Sequence, residues 1–152
     1  MNEQTMRERL QAALETLVLH DSYLFEIGVS ERAIMGRLTV YLTHLFPSYS
    51  VDLEYNRHGV EVKRAKVPVE CANAADPDGT KIIVPDLVVH QRGHDRDNLL
   101  VLEAKKSSDP RGQHCDRLRL EALKREMRYQ FAALLEFQMY RKPVEPPTIQ
   151  WV

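Results

Sequence analysis

Residues 84–106 read VPDLVVHQRGHDRDNLLVLEAKK. Two apolar runs of strand length, Leu87–Val89 and Leu99–Leu102, flank a polar centre. Asp86 heads the first run, and Glu103 and Lys105 close the second. A charge taken into a protein core is costly unless it is paired or bound to a metal. The fold follows from the reason these three charges stand where they do.

Residues 82–90 and 99–106 are taken as strands. Successive strand side chains point to opposite faces, so Glu103 and Lys105 share one face, about 7 Å apart. Asp86, Val88 and His90 share a face of the other strand. A hairpin turning near Gly93-His94-Asp95 sets Asp86 opposite Glu103, with Lys105 next along. Like charges directly opposite destabilise a sheet. Two adjacent carboxylates also raise each other's proton affinity. A divalent cation removes both objections. Carboxylate oxygens suit Mg²⁺, or Mn²⁺, held by one or two acids together with water and substrate phosphate. Such an ion polarises a phosphodiester and activates water, and a lysine beside it stabilises the charge that develops.

Upstream, Ser30 is a candidate N-cap for a helix over ERAIMGRLTVYLTHLF, residues 31–46, which Pro47 ends. Its apolar stripe is Ile34, Leu38, Tyr41, Leu42 and Leu45. Glu31 heads the stripe of Met35, Leu38, Leu42 and Leu45, from which a third acid could reach the same site. The plain alternative is an acid favoured by the helix dipole. An earlier amphipathic helix spans 4–19, with Met6, Leu10, Ala13, Leu14 and Leu17 inward, and Gly28 breaks the pattern.

Two strands, SVDLEYN (50–56) and VEVKRAK (60–66), are joined by a turn at Arg57-His58-Gly59. Residues 71–80 read as loop, with a turn signal at Asp76-Pro77-Asp78-Gly79. Residues 106–113 form another loop, and a helix over 114–127 turns Leu120, Leu123 and Met127 inward. FAALLEFQMY, residues 131–140, reads as strand. The order α-α-β-β-β-β-α-β predicts one α/β (α+β) domain over 1–152, with a mixed central sheet flanked by helices. Its parts are an N-terminal helical extension (1–29), a core (30–140) and a proline-rich tail (141–152).

The chain is 43% hydrophobic and carries a net charge of -1, which argues against nucleic-acid binding by bulk charge alone but leaves room for a local basic cleft. No apolar run approaches the roughly 20 residues of a membrane span. The charged N-terminus is unlike a signal peptide. Cys71 and Cys115 form no CxxC pattern and read as reduced thiols in a cytoplasmic protein. His94, His114 and Cys115 lack the spacing of a structural zinc site. His90 reads as a hydrogen-bonded spectator. Arg117, Lys124 and Arg128 form a stripe that, with Lys105, Lys106 and Arg111, is either a phosphate-contacting surface or a solvated face paired through Glu121. Tyr129, Phe131, Phe137 and Tyr140 read as core rather than as base-stacking platforms.

Pro85-Asp86, a hairpin, and then Glu103-Ala104-Lys105 resemble the PD-(D/E)xK signature of the restriction-endonuclease-like nucleases. The resemblance covers roughly residues 30–140. It implies an α-β-β-β-α-β core and metal-dependent phosphodiester hydrolysis of nucleic acid, DNA first. Asp86 and Glu103 would bind Mg²⁺ or Mn²⁺, and Lys105 would be catalytic. Glu31 would be the accessory acid of the first core helix, with Glu54 as a second candidate. One domain of this size lacks an obvious specificity module, so a second copy or a partner protein is expected to supply it. A catalytically silent module of the same fold, binding nucleic acid or protein, is the alternative.

Overall fold

The computed structural model describes residues 1–58, 61–68, 71, 80–106 and 110–152. Three helices run over Glu3–Glu26 (α1), Glu31–Leu45 (α2) and Pro110–Glu126 (α3). The strands are Ser50–Leu53 (β1), Arg57–His58 (β2), Glu61–Val62 (β3), Arg64–Lys66 (β4), Thr80–Ile82 (β5), Leu87–His90 (β6), Leu100–Lys105 (β7), Phe131–Glu136 (β8) and Thr148–Trp151 (β9). The main sheet has the order β1-β6-β7-β8-β9, antiparallel throughout except for the parallel pair β7–β8 that α3 bridges. The fold is therefore α+β on a mixed sheet. Along the chain its central elements run α2-β1-β6-β7-α3-β8.

Local chemistry sets the helix ends. Asn2 accepts the Thr5 N–H at 2.8 Å to cap α1, and Ser30 accepts the Ala33 N–H at 3.1 Å to cap α2, as its position predicted. The first helix outruns its expected end, reaching Glu26 with a kink at Asp21. Gly28 follows at φ +67°, a conformation that glycine adopts without a Cβ penalty. The Tyr140 ring lies against it, so close that a Cβ there would overlap the ring. Tyr140 is nevertheless 74% exposed, which corrects its assignment to the core.

The helices cover the sheet from two sides. α1 and α2 pack on one face, where Met6, Leu10, Leu14, Leu17, Ile34, Leu38 and Leu42 meet Leu87, Val89, Leu100 and Leu102. The 1–29 segment thus shares the main core rather than extending from it. α3 packs on the other face, where Leu120, Leu123 and Met127 meet Val88, Val101, Ala132 and Leu134.

Four further expectations need correction. The run 82–90 is not one strand: Pro85, which has no N–H to donate, separates β5 from β6. β5 pairs instead with β4. VEVKRAK is likewise split at Lys63 between β3 and β4. The proline-rich tail ends in β9, an edge strand on β8. Cys71 and Cys115, 44 residues apart, are joined by a disulfide, because packing of β4 against α3 brings their Cα atoms to 5.2 Å. The turn signal at Asp76-Pro77-Asp78-Gly79, and Gly59 of the expected hairpin, lie outside the described residues. Among the described residues no helix is long and apolar enough to cross a membrane.

Candidate active site

β6 and β7 pair with Leu87 opposite Leu102 and Val88 opposite Val101. One step further along this register sets Asp86, the residue before β6, beside Glu103, as the hairpin argument predicted. Asp86 Oδ2 accepts the Ala104 N–H at 2.7 Å, and the Asp86 carbonyl accepts the Glu54 N–H at 3.1 Å. Both ends of Asp86 are thus fixed by neighbouring strands. Glu103 follows Val101 on the α3 face and is only 6% exposed. Lys105 lies two residues on, on the same face.

A cavity of about 220 Å³ opens here, lined by Glu31, Asp86, Glu103, Lys105, Lys81 and Arg119, among others. All four side chains singled out in the sequence therefore line one cleft. Glu31 enters from the first turn of α2, where its Oε1 accepts the Lys106 N–H at 3.1 Å and ties α2 to the end of β7. Glu54 lines an adjoining cavity of about 140 Å³ with Glu31 and Asp86, and its carboxylate pairs with Arg32 at 3.1 Å. Its backbone sits at φ +49°, in the left-handed region.

Both central acids hold their protons more readily than free carboxyls do. Burial pushes Glu103 up to about 8, the charge of Asp86 adds to the rise, and Arg119 and Lys105 oppose it. Burial also raises Asp86; the Ala104 N–H opposes this and the Glu31 charge reinforces it. The contact between the two side chains adds to the rise at Glu103 and opposes it at Asp86. Two adjacent carboxylates are hard oxygen donors of the kind that Mg²⁺ or Mn²⁺ takes. Among the described residues no three His, Cys, Asp or Glu side chains are set to hold a metal ion. The fit is that of a carboxylate pair and not of a closed cage.

Sequence reasoning missed two residues of the cleft, Lys81 and Arg119, and a buried acid behind them, Asp116. Asp116 is 1% exposed on α3, and its Oδ2 lies 3.1 Å from Lys105 Nζ. Its Oδ1 is bound by Arg119. Only the crossover packing of α3 on β7 brings these together, and no local pattern signals it.

The remaining candidates lie elsewhere. His90 shares the α3 face but is held by Asp52 at 2.9 Å and by the Tyr55 ring at 4.3 Å. The basic stripe of α3 is largely committed. Arg117 pairs with Glu121 at 3.3 Å, and Lys124 Nζ donates to the Val152 carbonyl at 2.6 Å. Tyr129 and Phe137 are buried as expected, and Phe131 packs half-buried on the core. No protein-family model matches this chain, and no curated protein or solved structure matches it either.

Proposed function

We propose that the chain is a metal-dependent nuclease-like hydrolase that cleaves phosphodiester bonds of nucleic acid, DNA first. One observation carries the reading: the β6–β7 register sets Asp86 beside Glu103, with Lys105 on the same cleft. The chain order α2-β1-β6-β7-α3-β8 supports it, since the PD-(D/E)xK resemblance implies an α-β-β-β-α-β core.

Asp86 and Glu103 would hold Mg²⁺ or Mn²⁺. When bound, that ion supplies Lewis-acid polarisation of the phosphate and a more acidic water. The chain's own groups do the rest. Lys105 places a positive charge beside the pair, to balance charge that develops on the phosphate. Glu31 anchors α2 to β7 and holds the cleft's third acid in place. Lys81 and Arg119 add cations at the cleft wall, so that with Lys105 three cations stand among the three acids of the cleft. Specificity is proposed to come from a second copy or a partner protein. The cytoplasm is the proposed setting, although the Cys71–Cys115 bond favours a more oxidising compartment.

A catalytically silent module that binds nucleic acid or protein is favoured by one fact: no three donors are set for a metal among the described residues. A cleavage assay with Mn²⁺ or Mg²⁺ on single-stranded, duplex and branched DNA and on RNA separates the two. The expected result is metal-dependent cleavage that falls about 10²–10³-fold or more in Asp86→Ala and in Lys105→Ala, both still folded. No cleavage, together with no metal-dependent shift in melting temperature, selects the silent module. Cleavage that survives both substitutions refutes the site.

A further inference from the structure

The Lys105 ammonium has a partner that the proposed reaction does not use. Asp116 is buried on α3 with Oδ2 3.1 Å from Lys105 Nζ, yet no hydrogen bond of good geometry reaches that oxygen from the described residues. The other oxygen belongs to Arg119, three residues on along the same helix. One buried carboxylate thus stands between two cations that both line the cleft and are both partly exposed, Lys105 by 33% and Arg119 by 27%. The charges leave a net positive balance on that wall, facing the carboxylate pair of Asp86 and Glu103. A carboxylate with one sub-optimal contact is an expensive way to fill a core position. Cys115, the residue before Asp116, is bonded to Cys71, so a covalent link fixes the turn of α3 that carries it.

Lysine reaches its target on a flexible four-carbon stem, and an unrestrained ammonium samples many rotamers. A buried anion at its tip selects among them. Arg119 is restrained from the same carboxylate. Two cations aimed at one cavity from a shared anchor suit a single phosphate group, which accepts from both.

We propose that Asp116 is a positioning residue that turns Lys105 and Arg119 toward the cleft and so builds a two-cation seat for a phosphate group of the substrate. The proposal rests on the phosphodiesterase reading for its role in turnover, but the seat itself can be measured apart from turnover.

The test has two arms, on the full chain. In the first, nitrogen-detected NMR follows the Lys105 ammonium and the Arg119 guanidinium in the wild type and in Asp116→Asn, which keeps the shape and removes the charge. The expected result is an ordered Lys105 ammonium in the wild type that becomes mobile in the variant. Added inorganic phosphate should shift both signals in the wild type and neither in the variant. A mobile ammonium in the wild type overturns the proposal even where the variant fails to fold. In the second arm, single-turnover cleavage with Mn²⁺ should fall roughly 10²-fold in Asp116→Asn, with the Mn²⁺-dependent melting shift retained. A variant that cleaves within about threefold of the wild-type rate overturns the proposal and leaves the nuclease reading standing. A wild type that cleaves nothing removes the reaction, and the phosphate titration alone then upholds or refutes the seat.

Discussion

The two faces of the sheet are built on different principles. Where α1 and α2 pack, the described buried residues are apolar without exception, from Met6 and Leu10 to Leu135 and Phe137. Where α3 packs, the core is smaller and encloses Lys63, His90, Glu103 and Asp116, the acidic, basic and histidine side chains buried among those described. This second face also carries the disulfide. Burial of apolar area stabilises the first face without direction or chemistry. The second loses stability to desolvated charge and recovers it through specific contacts and one covalent bond. Apolar burial and buried charge are thus divided between the two sides of one sheet.

Breaking the Cys71–Cys115 bond should sharpen that division most. A covalent ring of this length is worth on the order of 4 kcal/mol. Denaturant unfolding with and without a dithiol reductant should show that loss, and a change below about 1 kcal/mol would mean the charged face holds itself together without the bond.

On the other face, Leu38→Ala should cost about 2–5 kcal/mol, because Leu38 is fully buried among side chains that cannot supply a polar partner or admit water. A loss well under about 2 kcal/mol would show that the apolar face collapses around the gap.

The smallest effect concerns Lys63, whose amine donates to the Tyr129 hydroxyl at 2.6 Å and to the Tyr55 carbonyl at 3.1 Å. Burial pulls it down from 10.5 to about 8, and the charge of Asp52 only partly opposes this. Above pH 8 the folded state has released a proton that the unfolded state keeps up to 10.5, so stability rises with pH across that window. Between pH 8 and 9.5 the rise should be about 2 kcal/mol relative to Lys63→Met, from the slope of about 1.36 kcal/mol per unit. Parallel pH–stability curves for the two proteins would show that Lys63 is not the group responsible.

The same division explains what the sequence disclosed. The helices of the apolar face were legible because burial there is written locally, as a stripe of Ile34, Leu38 and Leu42 capped by Ser30. The pairing of Asp86 with Glu103 was legible because a hairpin register is fixed by nearby residues. Asp116 was not legible: an acid in a charged helix reads as solvated, and only the packing of α3 on β7 buries it against Lys105. The disulfide was misread for the same reason, since its two cysteines meet only through tertiary packing. The tail's strand was hidden because Thr148–Trp151 is short and follows prolines, whereas its pairing depends on β8.

The Cys71–Cys115 bond closes the backbone into a ring, and that ring contains Lys81, Asp86, Glu103 and Lys105. A protease that cuts once anywhere inside it opens the ring without releasing a fragment. The nicked chain keeps every residue, heavier only by the water taken up at the cut, and the four side chains stay tethered through the Cys71–Cys115 bond. Only reduction of the bond would let the two pieces part.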